Sequence, residues 1–152
     1  MDVKLRLDAI GRTLVLALQE NARASYAELG RLVGLSPPAV AERVKRLEDQ
    51  GVIKGFRAEV DRGRLGYGLA AIVRLRCRAE TFPAVESFAR TVPEVVECHE
   101  VAGEDAYVFK LVARSIQHLD EILLRLAAFG ATTSSLILSS PVAGRVLPPA
   151  GD

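Results

Sequence analysis

Leu7, Ile10, Leu14 and Leu18 recur at helical spacing behind the capping residue Asp8, which predicts a first helix over about 8–20, ending near Asn21. Ser25-Tyr26-Ala27-Glu28 has the spacing at which a hydroxyl and a carboxylate each satisfy a backbone donor at a helix start. The second helix then runs to about Val33 with Leu29 and Leu32 inward, and Gly34 closes it in a left-handed conformation. Leu35 plugs the turn. Ser36 caps the third helix, Pro37 occupies its first position, and Gly51 stops it after Gln50. Val40, Val44 and Leu47 form its packing stripe; Pro38, Glu42, Lys45 and Asp49 lie opposite, with Arg46 nearby and Arg43 at the flank. Two helices joined by so short a turn cross steeply, as in a helix-turn-helix.

From Val52 onward the period changes. Val52 to Val60 alternates in part and reads as extended, and the glycine-rich stretch Asp61 to Gly68 reads as a linker. Leu69 to Cys77 is a strand whose later half alternates apolar and basic residues, followed by a helix at about 82–91. Val95–Val101 and Ala106–Val112 form a hairpin joined at Gly103-Glu104-Asp105. Ser115 caps a helix with Ile116, Leu119, Leu123 and Leu126 on its inner face, widened by Leu124 and Ala127. Thr132 to Ser139 is the last strand, and Pro141 to Asp152 is expected to fray.

The fold class is therefore α+β: an N-terminal (winged) helix-turn-helix domain plus a C-terminal ferredoxin-like βαββαβ domain. The expected divisions are 1–52 for the helix-turn-helix, 53–68 for the hinge, 69–140 for the ferredoxin-like domain and 141–152 for the tail. Such a sheet leaves one face bare, carrying Ile72, Val108 or Ile137 according to the phase of alternation, so at least a dimer is expected.

Composition narrows the function classes. Hydrophobic residues are 49% of 152, enough for packed cores, yet charged residues or glycine interrupt every apolar run before it could span a membrane. Met1 to Arg6 lacks the apolar run of a secretory leader, and Cys77 and Cys98 have no metal-ligand spacing; a cytoplasmic protein without cofactor or metal is expected. The net charge of +1 divides unevenly: residues 1–66 hold 12 basic against 9 acidic side chains, the remainder 8 against 10. Double-stranded DNA would prefer the first half, where cations displace condensed counterions.

The third helix carries the clearest chemistry. Arginine and lysine reach guanine edges or phosphates, and small residues at the helix start admit it to the major groove. The candidate DNA-contacting set is Ser25, Ser36, Pro37, Pro38, Glu42, Arg43, Lys45 and Arg46. The alternative is a plain helical hairpin with solvated charges, or a ligand-sensing, oligomerising module that does not bind DNA. Cys98-His99-Glu100 would be the enzymatic constellation, but adjacent strand residues point to opposite faces, so thiol and imidazole cannot pair; no enzyme is expected.

Leu7-Asp8, Leu18-Gln19, Asn21-Ala22-Arg23, Glu28-Leu29, Gly34-Leu35-Ser36-Pro37, Arg43 to Glu48 and Gly51 to Phe56 together resemble the Lrp/AsnC (feast/famine) regulators, as do Val101 to Tyr107 and Thr132 to Ser135. The resemblance covers about residues 7 to 142. It implies a recognition role for the third helix, dimers through the C-terminal domain that often assemble into octamers, and a small-molecule effector, an amino acid, held between dimers. It further implies that Gly103, Glu104 and Asp105 lie in the effector loop, with Thr132, Thr133 and Ser134 across the pocket. Backbone amides and hydroxyls would meet the carboxylate of such a ligand, and the loop carboxylates its ammonium. For the loop, a bare hairpin turn is the alternative.

Overall fold

A computed structural model describes residues 7–150; the leader reading of Met1 to Arg6 falls outside the described residues. The chain divides into two compact units, one of residues 1–59 with 142–152 and one of residues 60–141.

The first unit holds α1 (Ala9–Glu20), α2 (Tyr26–Val33) and α3 (Pro37–Asp49). Each start follows from its cap. Asp8 accepts from the Gly11 N–H at 2.8 Å, and Ser25 and Glu28 form the reciprocal box on α2. Gly34 ends α2 at φ 72°, left-handed as expected. Ser36 precedes α3 but makes no side-chain cap bond. Pro38 removes one of the two amides, two and three residues on, that a capping hydroxyl serves.

Leu14, Leu18, Leu29, Val40, Val44 and Leu47 close the core. Leu32, expected inward, is 58% exposed. The buried edge of α2 is instead Leu29 and Gly30, because the turn backbone folds over Gly30: a Cβ built there would stand 2.4 Å from the Leu35 carbonyl oxygen. After α3 the Val52 and Ile53 amides both donate to Leu47 O, at 2.9 and 3.1 Å. Where a wing would stand, residues 54–60 run on without forming a strand. The tail, expected to fray, instead returns to α1, where Gln19 and Leu147 exchange hydrogen bonds.

The second unit contains β1 (Leu69–Arg76), α4 (Phe82–Thr91), β2 (Val95–Glu100), β3 (Tyr107–Ala113), α5 (Ile116–Ala127) and β4 (Ala131–Leu136). The sheet order is β2-β3-β1-β4, antiparallel throughout. This is the ferredoxin-like arrangement. Register sorts the side chains: Ala71, Val73, Leu75, Phe109 and Leu111 pack under Val85 and Phe88 of α4 and Leu119, Ile122 and Leu126 of α5. Ile72, Val108 and Val112 take the opposite, helix-free face, as the period of two requires. In β2 the register slips between Val95 and Glu97, leaving Val96 as a bulge.

The inner stripe of α5 departs from the sequence reading. Ile122 is buried, whereas Ile116 and Leu124 are 54% and 66% exposed. Apolar residues occupy so much of this helix's circumference that spacing alone does not set its rotation. No helix among the described residues is long and apolar enough to cross a membrane.

Candidate DNA-binding and effector sites

Helix α3 buries Val40, Val44 and Leu47, and so turns its other side outward. Ser36, Pro37, Pro38, Glu42, Lys45 and Arg46 are exposed and Arg43 is half-buried. The sequence-predicted contacts of α3 therefore share one accessible region. Their free charges are not equal. Arg43 Nη1 is 2.6 Å from Asp8 Oδ2, and Arg46 Nη2 is 3.7 Å from Glu42 Oε1. Lys45 has no ion pair among the described residues, which makes it the cation most ready for a phosphate. The Gly11 amide and then Arg43 hold the Asp8 carboxyl below its ordinary range.

Ser25 stands apart at the start of α2. Its hydroxyl donates to Glu28 Oε2 at 2.7 Å and accepts from the Glu28 amide at 3.2 Å, so both functions already serve the cap. The Ser25 amide, also 2.7 Å from Glu28 Oε2, is the largest cause of that carboxyl's lowered pKa. Ser36, with no cap bond, keeps its hydroxyl free for a contact.

At the other candidate site, the β2–β3 connection lies against the end of β1, because Ala106 N donates to Leu75 O at 2.9 Å. Gly103 has φ 141°, in the region that favours glycine. The loop carboxylates meet two arginines of β1: Glu104 Oε2 is 2.6 Å from Arg76 Nη2, and Asp105 Oδ2 is 3.9 Å from Arg74 Nε. Thr133 pairs with Arg74 across the sheet and shares its helix-free face. Thr132 and Ser134 pair with Leu75 and Val73 and therefore point to the helix-covered face. Glu104 and Asp105 thus meet the β1 arginines beside Gly103, Thr133 lies on the same sheet face next to Arg74, and Thr132 and Ser134 lie on the other face.

Arg74 and Arg76 were not among the sequence-predicted site residues. Their spacing of two, noted as apolar–basic alternation, was the signal that both leave the strand on one face. Farther along that face Glu97 is 2.9 Å from Lys110 Nζ, and chiefly this contact, then His99, lowers the Glu97 pKa. Cys98 opposes Phe109 and His99 opposes Val108, so the thiol and imidazole leave the sheet on opposite sides. Burial, with Glu86 a smaller cause, pushes the Cys98 thiol up, away from a reactive thiolate. Among the described residues no cluster of His, Cys, Asp or Glu is suited to a metal ion.

A helix-turn-helix that exposes one side of its second helix, followed by a ferredoxin-like domain with a charged loop corner, defines a DNA-binding regulator with a ligand-binding module. Comparison with known proteins gives the same two parts. Residues 7–48 match the AsnC-type helix-turn-helix domain and residues 70–147 the Lrp/AsnC ligand binding domain. The chain belongs to the Lrp/AsnC family of transcriptional regulators. It is 32% identical over 135 residues to the HTH-type transcriptional regulator LrpC of Bacillus subtilis, covering 89% of this chain and 94% of that one. The solved structure of B. subtilis LrpC is similar with a TM-score of 0.86 at 31% identity, over 92% of this chain and 100% of that one. The feast or famine regulatory protein Rv3291c from M. tuberculosis, complexed with L-methionine, gives a TM-score of 0.87 at 33% identity, over 95% of this chain and 100% of that one.

Proposed function

We propose that this regulator reads double-stranded DNA in the cytoplasm with α3 in the major groove, as a two-fold dimer, and that an amino acid bound at the loop corner adjusts its DNA binding. Lys45 and Arg46 reach phosphate or guanine, Ser36 and the two prolines let the helix start approach the bases, and Arg43 sets the flank. The dimer forms through the helix-free sheet face, where Ile72 lies opposite Lys110 and Val108 opposite Arg74. A two-fold dimer matches a palindromic site.

The observation that carries the effector reading is the convergence of Arg74 and Arg76 on Glu104 and Asp105 beside Thr133. A zwitterion offers each partner what it now holds: its carboxylate suits the guanidinium groups and the Thr133 hydroxyl, its ammonium the loop carboxylates. The Arg76–Glu104 pair is exposed in the single chain, so opening it there costs only about 0–1 kcal/mol. The L-methionine complex of Rv3291c supports this ligand class.

The test is fluorescence anisotropy on the DNA upstream of the protein's own gene, over a salt series, with each of the common amino acids. Binding that weakens steeply with salt and shifts with one or a few amino acids is expected. Affinity that is flat in salt, on this DNA and on genomic fragments alike, would overturn the DNA reading. Indifference to every amino acid, with calorimetry silent as well, would overturn the effector reading.

A further inference from the structure

The first unit contains a groove of ≈ 520 Å³ between α1 and the segment that follows α3. Val15, Leu18 and Ala22 form one side, Ile53 and Phe56 the other, and the tail residues Leu147 to Pro149 complete the wall. The tail is held through its backbone. Gln19 Nε2 donates to Leu147 O at 2.9 Å while the Leu147 amide donates to Gln19 Oε1 at 3.0 Å. Arg12 Nη1 reaches Ala150 O at 3.3 Å. One side-chain amide can satisfy both groups of a single residue only where the chain is extended, with its N–H and C=O turned the same way. The Leu147 side chain is itself 69% exposed, so recognition rests on chain conformation rather than on a side-chain anchor.

We propose that the chain's own Val146–Ala150 segment serves as a strap on α1 of the DNA-binding unit, closing one side of this groove and bracing the helix it is bonded to. Two physical facts favour a lasting contact. Pro148 and Pro149 have fixed φ and no amide to satisfy, so ordering them costs little entropy. The segment is tethered by about ten residues to β4, which raises its effective concentration to roughly millimolar and lets weak contacts stay occupied. The strap bears on the helix that needs it. α1 carries Gly11 in its first turn, about 1 kcal/mol poorer than alanine in helix propensity. Through Asp8 it also holds Arg43 of α3, so a braced α1 keeps that guanidinium in place.

Hydrogen exchange followed by NMR on the full chain tests this, with wild type and Gln19→Leu compared. Gln19 is exposed and leucine is a good helix former, so the variant keeps its fold, and unchanged protection of the Val44 amide verifies that. The Leu147 amide is expected to exchange about tenfold or more slowly than an unstructured amide in wild type, and to lose that protection in Gln19→Leu. Free exchange of Leu147 in wild type, or protection that survives in Gln19→Leu, overturns the proposal. Protection that disappears on dilution assigns the occupant to a second copy and overturns the own-chain strap.

Discussion

Replacing Gly30 with alanine should destabilise the DNA-binding unit, against the ordinary preference of helices. Inside an exposed helix this exchange gains about 1 kcal/mol. Here the added methyl would lie 2.4 Å from the Leu35 carbonyl oxygen, where real contacts hardly fall below 3.0 Å. The turn would have to yield by at least 0.6 Å, the difference of those two distances. The obstructing atom is backbone, and Leu35 is also bonded through its amide to Gly30 O at 3.0 Å, so no rotamer change relieves the overlap. Overpacking of this kind costs about 1–3 kcal/mol, and the rigid neighbour places Gly30 toward the upper end. After the propensity gain, a net loss of about 1–2 kcal/mol is expected. For a unit of this size that lowers the melting temperature by roughly 4–16 °C. Urea and thermal unfolding, followed through the methyl resonances of Val40 and Val44, would measure it. A variant as stable as wild type would refute the claim that the turn presses on Gly30.

Four further outcomes are expected. Asp8→Ala should cost about 0.5–2 kcal/mol through the lost cap, read by the same unfolding assay. The Asp8 pKa is lowered in the folded state, so its stabilising contribution is full above the ordinary value of 3.8 and is lost as pH falls through the folded value. Asp8→Asn, which retains capping ability, should flatten that acid dependence. Lys45→Ala should weaken DNA binding across sequences and reduce the logarithmic salt slope by about 1 unit, seen by anisotropy; an unchanged slope removes Lys45 from the phosphate contacts. Arg76→Gln should weaken calorimetric binding of the effective amino acid by about tenfold through the lost charge-assisted bond, and undiminished affinity would exclude Arg76 from the site.

Short-range chemistry made much of this molecule legible. Asp8, the Ser25–Glu28 box, Gly34 and Ser115 each act within a few residues, and the structure places them at the helix ends where sequence rules put them. The order of strands and helices in the second unit follows equally from alternation and periodicity. What escaped depended on contacts distant in sequence. Leu32 faces outward because the turn crosses at Gly30, and the rotation of α5 is set by the sheet beneath it. Arg74 and Arg76 could be assigned to one face, but their pairing with the loop required the register of β1 against β3. The Gln19–Leu147 exchange joins residues 128 positions apart, beyond any local pattern. Ser36 makes no cap bond in a local setting, where Pro38 removes one of the two amides within its reach.

The bulge at Val96 bears on how copies of the chain can accumulate. β2 is an edge strand, and an unbroken edge is a template on which further strands can add indefinitely. With its ladder dislocated between Val95 and Glu97, that border offers an added strand no continuous run of matching donors and acceptors. Growth by edge extension is discouraged there, whereas the proposed dimer uses the helix-free face. A surface that meets its own copy about a two-fold axis is used up by one encounter. The dislocated border thus disfavours open-ended growth from the β2 side of the sheet.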